Sequence, residues 1–186
     1  KTILFDIGGV LQLPKGPVKF IQDSHLIGVP KNYCHKNKGV HNYIISKLKI
    51  PLDQWFDAID TAYVSSIEGK IPEQEVADII AHNLGISKRR FNKIIIKAYK
   101  INFDFNKELL NIALDLKKQG YKIGILSDQW HFSKRALMPE KYTKHFSPVI
   151  VSCDVGLRKP DPKIYKLALS ESKSKPSQTI FIDNQK

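Results

Sequence analysis

The chain alternates between short apolar runs and longer stretches in which apolar residues recur every three or four positions. Residues 2–7 are mostly apolar with little alternation, the pattern of a strand buried on both faces of a parallel sheet. Three more runs of this kind follow: Y-K-I-G-I-L-S at 121–127, P-V-I-V-S at 148–152 and T-I-F-I-D at 179–183. Between them lie helical patterns. Residues 106–119 set Leu109, Ile112, Ala113 and Leu116 on one face and are stopped by Gly120. Residues 161–172 start with Asp161 as N-cap and Pro162 in the first turn. Strand and helix in alternation predict an α/β fold with a doubly wound, Rossmann-like parallel sheet.

Residues of about 14–101 break the alternation and contain no convincing strand. Pro51–Ser66 reads as a helix with Trp55, Ile59 and Ala62 inward. Glu68-Gly69-Lys70 reads as a turn, and Pro72–Asn83 as a second helix before Gly85. Ser87 caps a third helix that runs to about Tyr99, with Phe91, Ile94, Ile95 and Ala98 inward. The expected organisation is an α/β core of residues 1–13 and 102–186 carrying an inserted, all-helical subdomain at 14–101.

Composition narrows the class. With 42% hydrophobic residues in 186, the chain has enough apolar material for a real core. No apolar run approaches the roughly 18 residues of a membrane helix, so no membrane partner is expected. There is no secretory leader pattern, and two cysteines, Cys34 and Cys153, make neither a disulfide framework nor a paired metal motif. A reducing, cytoplasmic setting follows as the expectation. The formal charge of +12 raises the question of nucleic acid, yet only four of the 30 basic residues are Arg: Arg89, Arg90, Arg135 and Arg158. Lys is spread along the whole chain, and the one dense cluster, S-K-R-R at 87–90, opens a helix. The reading is a basic surface without a nucleic-acid partner. The six histidines are scattered without close pairs; His25, His41 and Trp130 are the ones that could face a site.

In open parallel sheets, ligands bind beyond the carboxyl ends of the strands. After the first strand come Asp6, Gly8 and Gly9; after the second, Ser127 and Asp128; beyond the third, Lys159; after the fourth, Asp183 and Asn184. A carboxylate, a hydroxyl, a lysine and a second acidic position therefore converge on one rim. F-D-I-G-G-V-L, I-L-S-D, R-K-P-D-P and I-F-I-D-N, in this order and spacing, resemble the four motifs of the haloacid dehalogenase-like (HAD) hydrolases. The similarity runs over nearly the whole chain, with residues 14–101 in the place of the small helical cap.

The resemblance implies phosphoryl transfer through an aspartyl-phosphate, with Asp6 as nucleophile and Lys159 offsetting the charge of Asp6 and phosphate. It implies that Ser127, Asp128 and Gly9 bind substrate. Mg²⁺ would be held by Asp6, the Gly8 carbonyl, Asp183 and Asn184, a hard oxygen set. The implied substrate is a small phosphorylated metabolite, with a sugar phosphate as one candidate, and the protein is expected as a monomer or homodimer.

Two positions depart from the family pattern. Most phosphatases of the family carry a second Asp two residues after the nucleophile as general acid and base; here Gly8 stands there, as in the family's D-x-G-x-V subgroup. Asn184 replaces the second acid of the fourth motif, and Asp128 stands where the subgroup often has Asn. These departures leave open a non-catalytic phosphate-binding module. A metal-free 2-haloacid dehalogenase is a further reading, weakened because no arginine follows closely after the first motif. Family members usually continue past the fourth motif with another helix and strand, and this sequence starts at Lys1 without Met. The early stop is expected to reflect a fragment, a truncated gene or an incomplete chain, with an edge of the sheet left uncovered.

Overall fold

The computed structural model describes residues 1–15 and 39–184. Of the residues singled out above, His25 and Cys34 lie outside this range. The sheet is built from β1 (Thr2–Phe5), β4 (Lys122–Ser127), β5 (Val149–Val151) and β6 (Thr179–Ile182), in the order β5-β4-β1-β6. Every pairing is parallel, with Phe5 opposite both Ile125 and Ile182. β1 is buried throughout, as its unbroken apolar run requires, because it is flanked on both sides and covered on both faces. The period of two then divides the strands. Ile3, Phe5, Ile123 and Ile125 join one apolar layer, with Leu110, Ala113 and Phe146 packed on them. Leu4, Leu126 and Ile150 join the opposite layer with Ile164 and Ala168.

The first layer is covered by α5 (Lys107–Lys118), whose Asn106 side chain accepts from Leu109 N–H, and by α6 (His131–Leu137). The expected inward face of α5 needs one correction. Ile112 is 51% exposed, and Leu110 takes its place beside Ala113. The two stripes share their other members, so the periodicity alone does not separate them. The second layer is covered by α9 (Pro162–Glu171). Asp161 caps this helix as expected, accepting from Lys163 N–H, with Pro162 in the first turn.

Residues 40–102 form α1 (Val40–Leu48), α2 (Leu52–Ile67), α3 (Glu73–Asn83) and α4 (Lys88–Asn102). Ser87 caps α4 by accepting from Arg90 N–H. Trp55, Ile59, Ala62, Phe91, Ile95 and Ala98 face inward as the spacing predicts. Two features were not expected. A short antiparallel ribbon, β2 (Gln12–Pro14) with β3 (Phe103–Phe105), brackets the helices where the chain leaves and re-enters the sheet layer. In addition, Trp130 and Phe132, just after β4, are buried in the apolar cluster of the four helices. Trp130 Nε1 donates to the Tyr99 hydroxyl at 2.7 Å, and its ring meets Phe132 edge-on with centroids 4.9 Å apart. Among the described residues no helix is long and apolar enough to cross a membrane.

Candidate active site at the carboxyl edge of the sheet

The parallel pairing of β1 with β4 and β6 brings Asp6, Ser127 and Asp183 to one edge of the sheet. The chain turns sharply after Asp6. Gly9 N–H donates to the Gln12 carbonyl and Gln12 N–H to the Ile7 carbonyl, at 2.8 and 2.7 Å. Lys159 reaches the edge from the segment after α8 (Ser152–Val155), a single turn that intervenes between β5 and the third motif. Its Nζ lies 2.6 Å from Asp183 Oδ2 and 3.4 Å from Asp6 Oδ1. The lysine thus sits between two carboxylates, with only 12% of its side chain exposed.

Asp6 is buried, and burial raises its carboxyl above the ordinary carboxylate value. Lys159 is the main influence pulling it back, followed by a hydrogen bond from Ser127. Lys159 itself is held above its usual value: burial works against the ammonium, but Asp6 and Asp183 outweigh it. Asp6 Oδ1 accepts no hydrogen bond although it is out of contact with solvent. The Lys159 ammonium stands 3.4 Å from it, and a buried carboxylate oxygen without a hydrogen bond is costly unless a further group satisfies it.

Ser127 is fully buried. Gln129 Nε2 donates to its hydroxyl at 3.0 Å, and Gln129 is in turn fixed by Ser152, whose Oγ accepts from Gln129 N–H and donates to its carbonyl. The sequence carried no signal for Gln129 or Ser152, because single polar residues on loops form no pattern. Asp128 was expected to bind substrate. Its oxygens instead face the third motif: Oδ1 accepts from Lys159 N–H at 3.1 Å, and Oδ2 lies 3.6 Å from Arg158 Nε. Its charge is thus directed to the chain of the third motif.

The two glycines behave differently. Gly9 has φ +76°, and a Cβ there would lie 2.5 Å from Asn184 Nδ2. Only glycine permits both the turn and the approach of Asn184. At Gly8 a Cβ would meet nothing within 4 Å. The Asn184 amide reaches the Gly8 carbonyl at 2.9 Å and Asp183 Oδ1 at 3.2 Å. With its nitrogen at that point the amide donates to both. With its oxygen there, three oxygens cluster at the spacing of neighbouring ligands around octahedral Mg²⁺, about 2.9 Å for bonds of 2.0–2.1 Å. The Asp6 and Asp183 carboxylates, the Gly8 carbonyl and the Asn184 amide oxygen are donors of the hard type that Mg²⁺ takes. Among the described residues no group of three or more His, Cys, Asp or Glu forms a metal site, so the fit rests on two carboxylates, an amide and a carbonyl.

The placed polar atoms of His41 and Trp130 bond within the helical cluster. His41 Nδ1 accepts from Trp55 Nε1 at 2.8 Å, and burial lowers the imidazole to about 4. Trp130 is committed to Tyr99. Cavities of about 300 and 310 Å³ open beside Lys122 and Val149, at the other end of the sheet, and share no residue with the Asp6 cluster.

Comparison with known proteins bears on the family and the fold. A family model described as haloacid dehalogenase-like hydrolase matches residues 1–185. The bifunctional epoxide hydrolase 2 of Sus scrofa is 29% identical over 197 residues, covering 99% of this chain and 33% of the relative. The chain thus spans about a third of the length of that curated relative. A glyceraldehyde 3-phosphate phosphatase of Pyrococcus furiosus is 35% identical over 77 residues, 39% of this chain and 30% of its own length. In fold, a HAD family enzyme from Bacteroides thetaiotaomicron, solved as a magnesium complex, superimposes with a TM-score of 0.70 at 21% identity, covering 100% of this chain and 84% of that one. From the matched family model and the ordered motifs, the chain belongs to the haloacid dehalogenase-like hydrolases.

Proposed function

We propose that the protein is a magnesium-dependent phosphatase of a small phosphorylated metabolite, in the subgroup with a D-x-G-x-V first motif. The observation that carries this reading is the buried Asp6 carboxylate, with one oxygen unbonded and the Lys159 ammonium 3.4 Å away. A carboxylate so held is a nucleophile with its charge partner in place. Attack of an Asp6 oxygen on phosphorus forms the acyl-phosphate bond and breaks the bond to the substrate's alcohol oxygen. Water then attacks phosphorus, releasing inorganic phosphate and restoring the carboxylate. Lys159 and Ser127 stabilise the phosphoryl oxygens as charge shifts onto them. Mg²⁺ held by Asp6, the Gly8 carbonyl, Asp183 and Asn184 would supply further positive charge at those oxygens.

Gly8 has no proton to give the departing alcohol. General acid help is typically worth about 10²–10⁴-fold. Aryl and anomeric sugar phosphates, whose leaving groups need less help, should therefore react faster than simple alkyl phosphates. The unit of residues 14–101 serves in this reading as the cap that excludes water and selects the substrate. Hydrolysis of p-nitrophenyl phosphate with and without Mg²⁺, in wild type and Asp6→Asn, tests the proposal. Turnover that needs both the metal and Asp6 supports it. Folded protein that binds phosphate without turnover would mark a binding module instead, and metal-independent chloride release from a 2-haloacid would mark a dehalogenase.

A further inference from the structure

Arg158 adjoins Lys159 in sequence, yet its guanidinium has no hydrogen-bond partner among the described residues. Its one ion pair, Nε to Asp128 Oδ2, spans 3.6 Å, beyond hydrogen-bond length, and its side chain is 43% exposed. That contact engages the Nε side and leaves the two terminal nitrogens, the pair that grips a carboxylate from two points, unfilled. Asp128 also accepts from Lys159 N–H, so one carboxylate fixes the backbone of the phosphate-facing lysine and the direction of the neighbouring arginine. Tyr63 of α2 comes over the same region. Its ring packs against Trp130 at 5.2 Å, it is 37% exposed, and its hydroxyl has no hydrogen-bond partner among the described residues. The phenol lies within the electrostatic reach of both Arg158 and Asp128, and Glu68 at the end of α2 also feels Arg158. The two sets of unfilled donors, one from the third motif and one from α2, are thus anchored on the same short segment after β4, Arg158 on Asp128 and Tyr63 on Trp130.

We infer that Arg158, oriented by Asp128 and assisted by the Tyr63 hydroxyl, receives a carboxylate at the far end of the substrate. The substrate class is then a phosphorylated metabolite that also carries a carboxylic acid. This inference rests on the phosphatase reading of the same site. Among phosphate-sized anions, such an acid gains a paired contact that a neutral sugar phosphate does not.

The test is isothermal titration of the protein with Mg²⁺ and inert alkylphosphonates, each compared with the ω-carboxyalkylphosphonate of the same length, across a series of lengths. In wild type, one carboxylated member should bind about three- to tenfold tighter than its alkyl counterpart. In Arg158→Gln the ratio should fall to about one. In Arg158→Lys, which keeps the charge and loses the fork, it should be intermediate. A ratio near one throughout the wild-type series, or one that survives in Arg158→Gln, overturns the inference. Failure of every phosphonate to bind would overturn the phosphatase reading and the inference together, so the two failures are distinct.

Discussion

Alanine at Gly9 and alanine at Gly8 make a matched pair of perturbations one residue apart. At Gly9 the new Cβ would fall 2.5 Å from Asn184 Nδ2 and 2.7 Å from its Cγ, inside contact distance. The backbone there has φ +76°, a region that costs an L-residue with a side chain about 1–2 kcal/mol before any clash is counted. For a chain of this size, that corresponds to a fall in Tm of about 2–8 °C. The clash adds a local effect, because Asn184 can relieve it only by leaving the Gly8 carbonyl. At Gly8 the Cβ meets nothing within 4 Å and the residue is outside the positive-φ region. Alanine there should be neutral or stabilise by about 0.4–1 kcal/mol through the unfolded chain. Thermal unfolding of the two variants, with and without Mg²⁺, separates these effects. Gly9→Ala should melt earlier and lose most of the metal-induced rise in Tm; Gly8→Ala should keep it. Equal destabilisation by both, or a full metal response in Gly9→Ala, would refute the assignment of Asn184 to the metal cluster.

Other consequences are open to direct measurement. Asp6→Asn should abolish magnesium-dependent phosphate hydrolysis while raising stability at pH 7. The folded-state carboxyl is shifted upward, so wild type loses stability as pH rises through that value, and the variant's advantage should vanish in acid below the ordinary carboxylate range. Gly8→Asp fills open space with the missing acid, and its gain should be greatest on alkyl phosphates, at least about tenfold in kcat/KM. Trp130→Ala removes a side chain 3% exposed and should destabilise by about 3–5 kcal/mol in urea unfolding.

The four strands were legible because a parallel sheet demands continuous apolar runs, and the edge that gathers Asp6, Ser127, Lys159 and Asp183 follows from that topology. Asp161 and Ser87 were legible as caps because a cap is a local device, read within three residues. What escaped was set by tertiary contact. The ribbon at 12–14 and 103–105 pairs segments about ninety residues apart, each too short to carry a period. Leu110 and Ile112 stand about 200° apart around α5, at opposite edges of its apolar arc, and which edge is covered is decided by what packs on the sheet. Asp128 gave no hint that it bonds to the backbone of a residue 31 positions away. Arg158 stands in the sequence only as one of four arginines, and it is the unfilled state of its guanidinium in the fold that makes it a candidate for binding.

The burial of Trp130 and Phe132 among the four helices bears on how this architecture can be recombined. A chimera cut at 14 and 101 would seem natural, since the ribbon marks both crossings. Such a graft would bring a foreign helical cluster against two aromatic side chains shaped for this one, and the Trp130 indole would lose Tyr99 as its acceptor. The misfit would be transmitted over three residues to Ser127, beside Asp6. A transplantable unit must therefore be discontinuous and carry residues 130–132 with the insert.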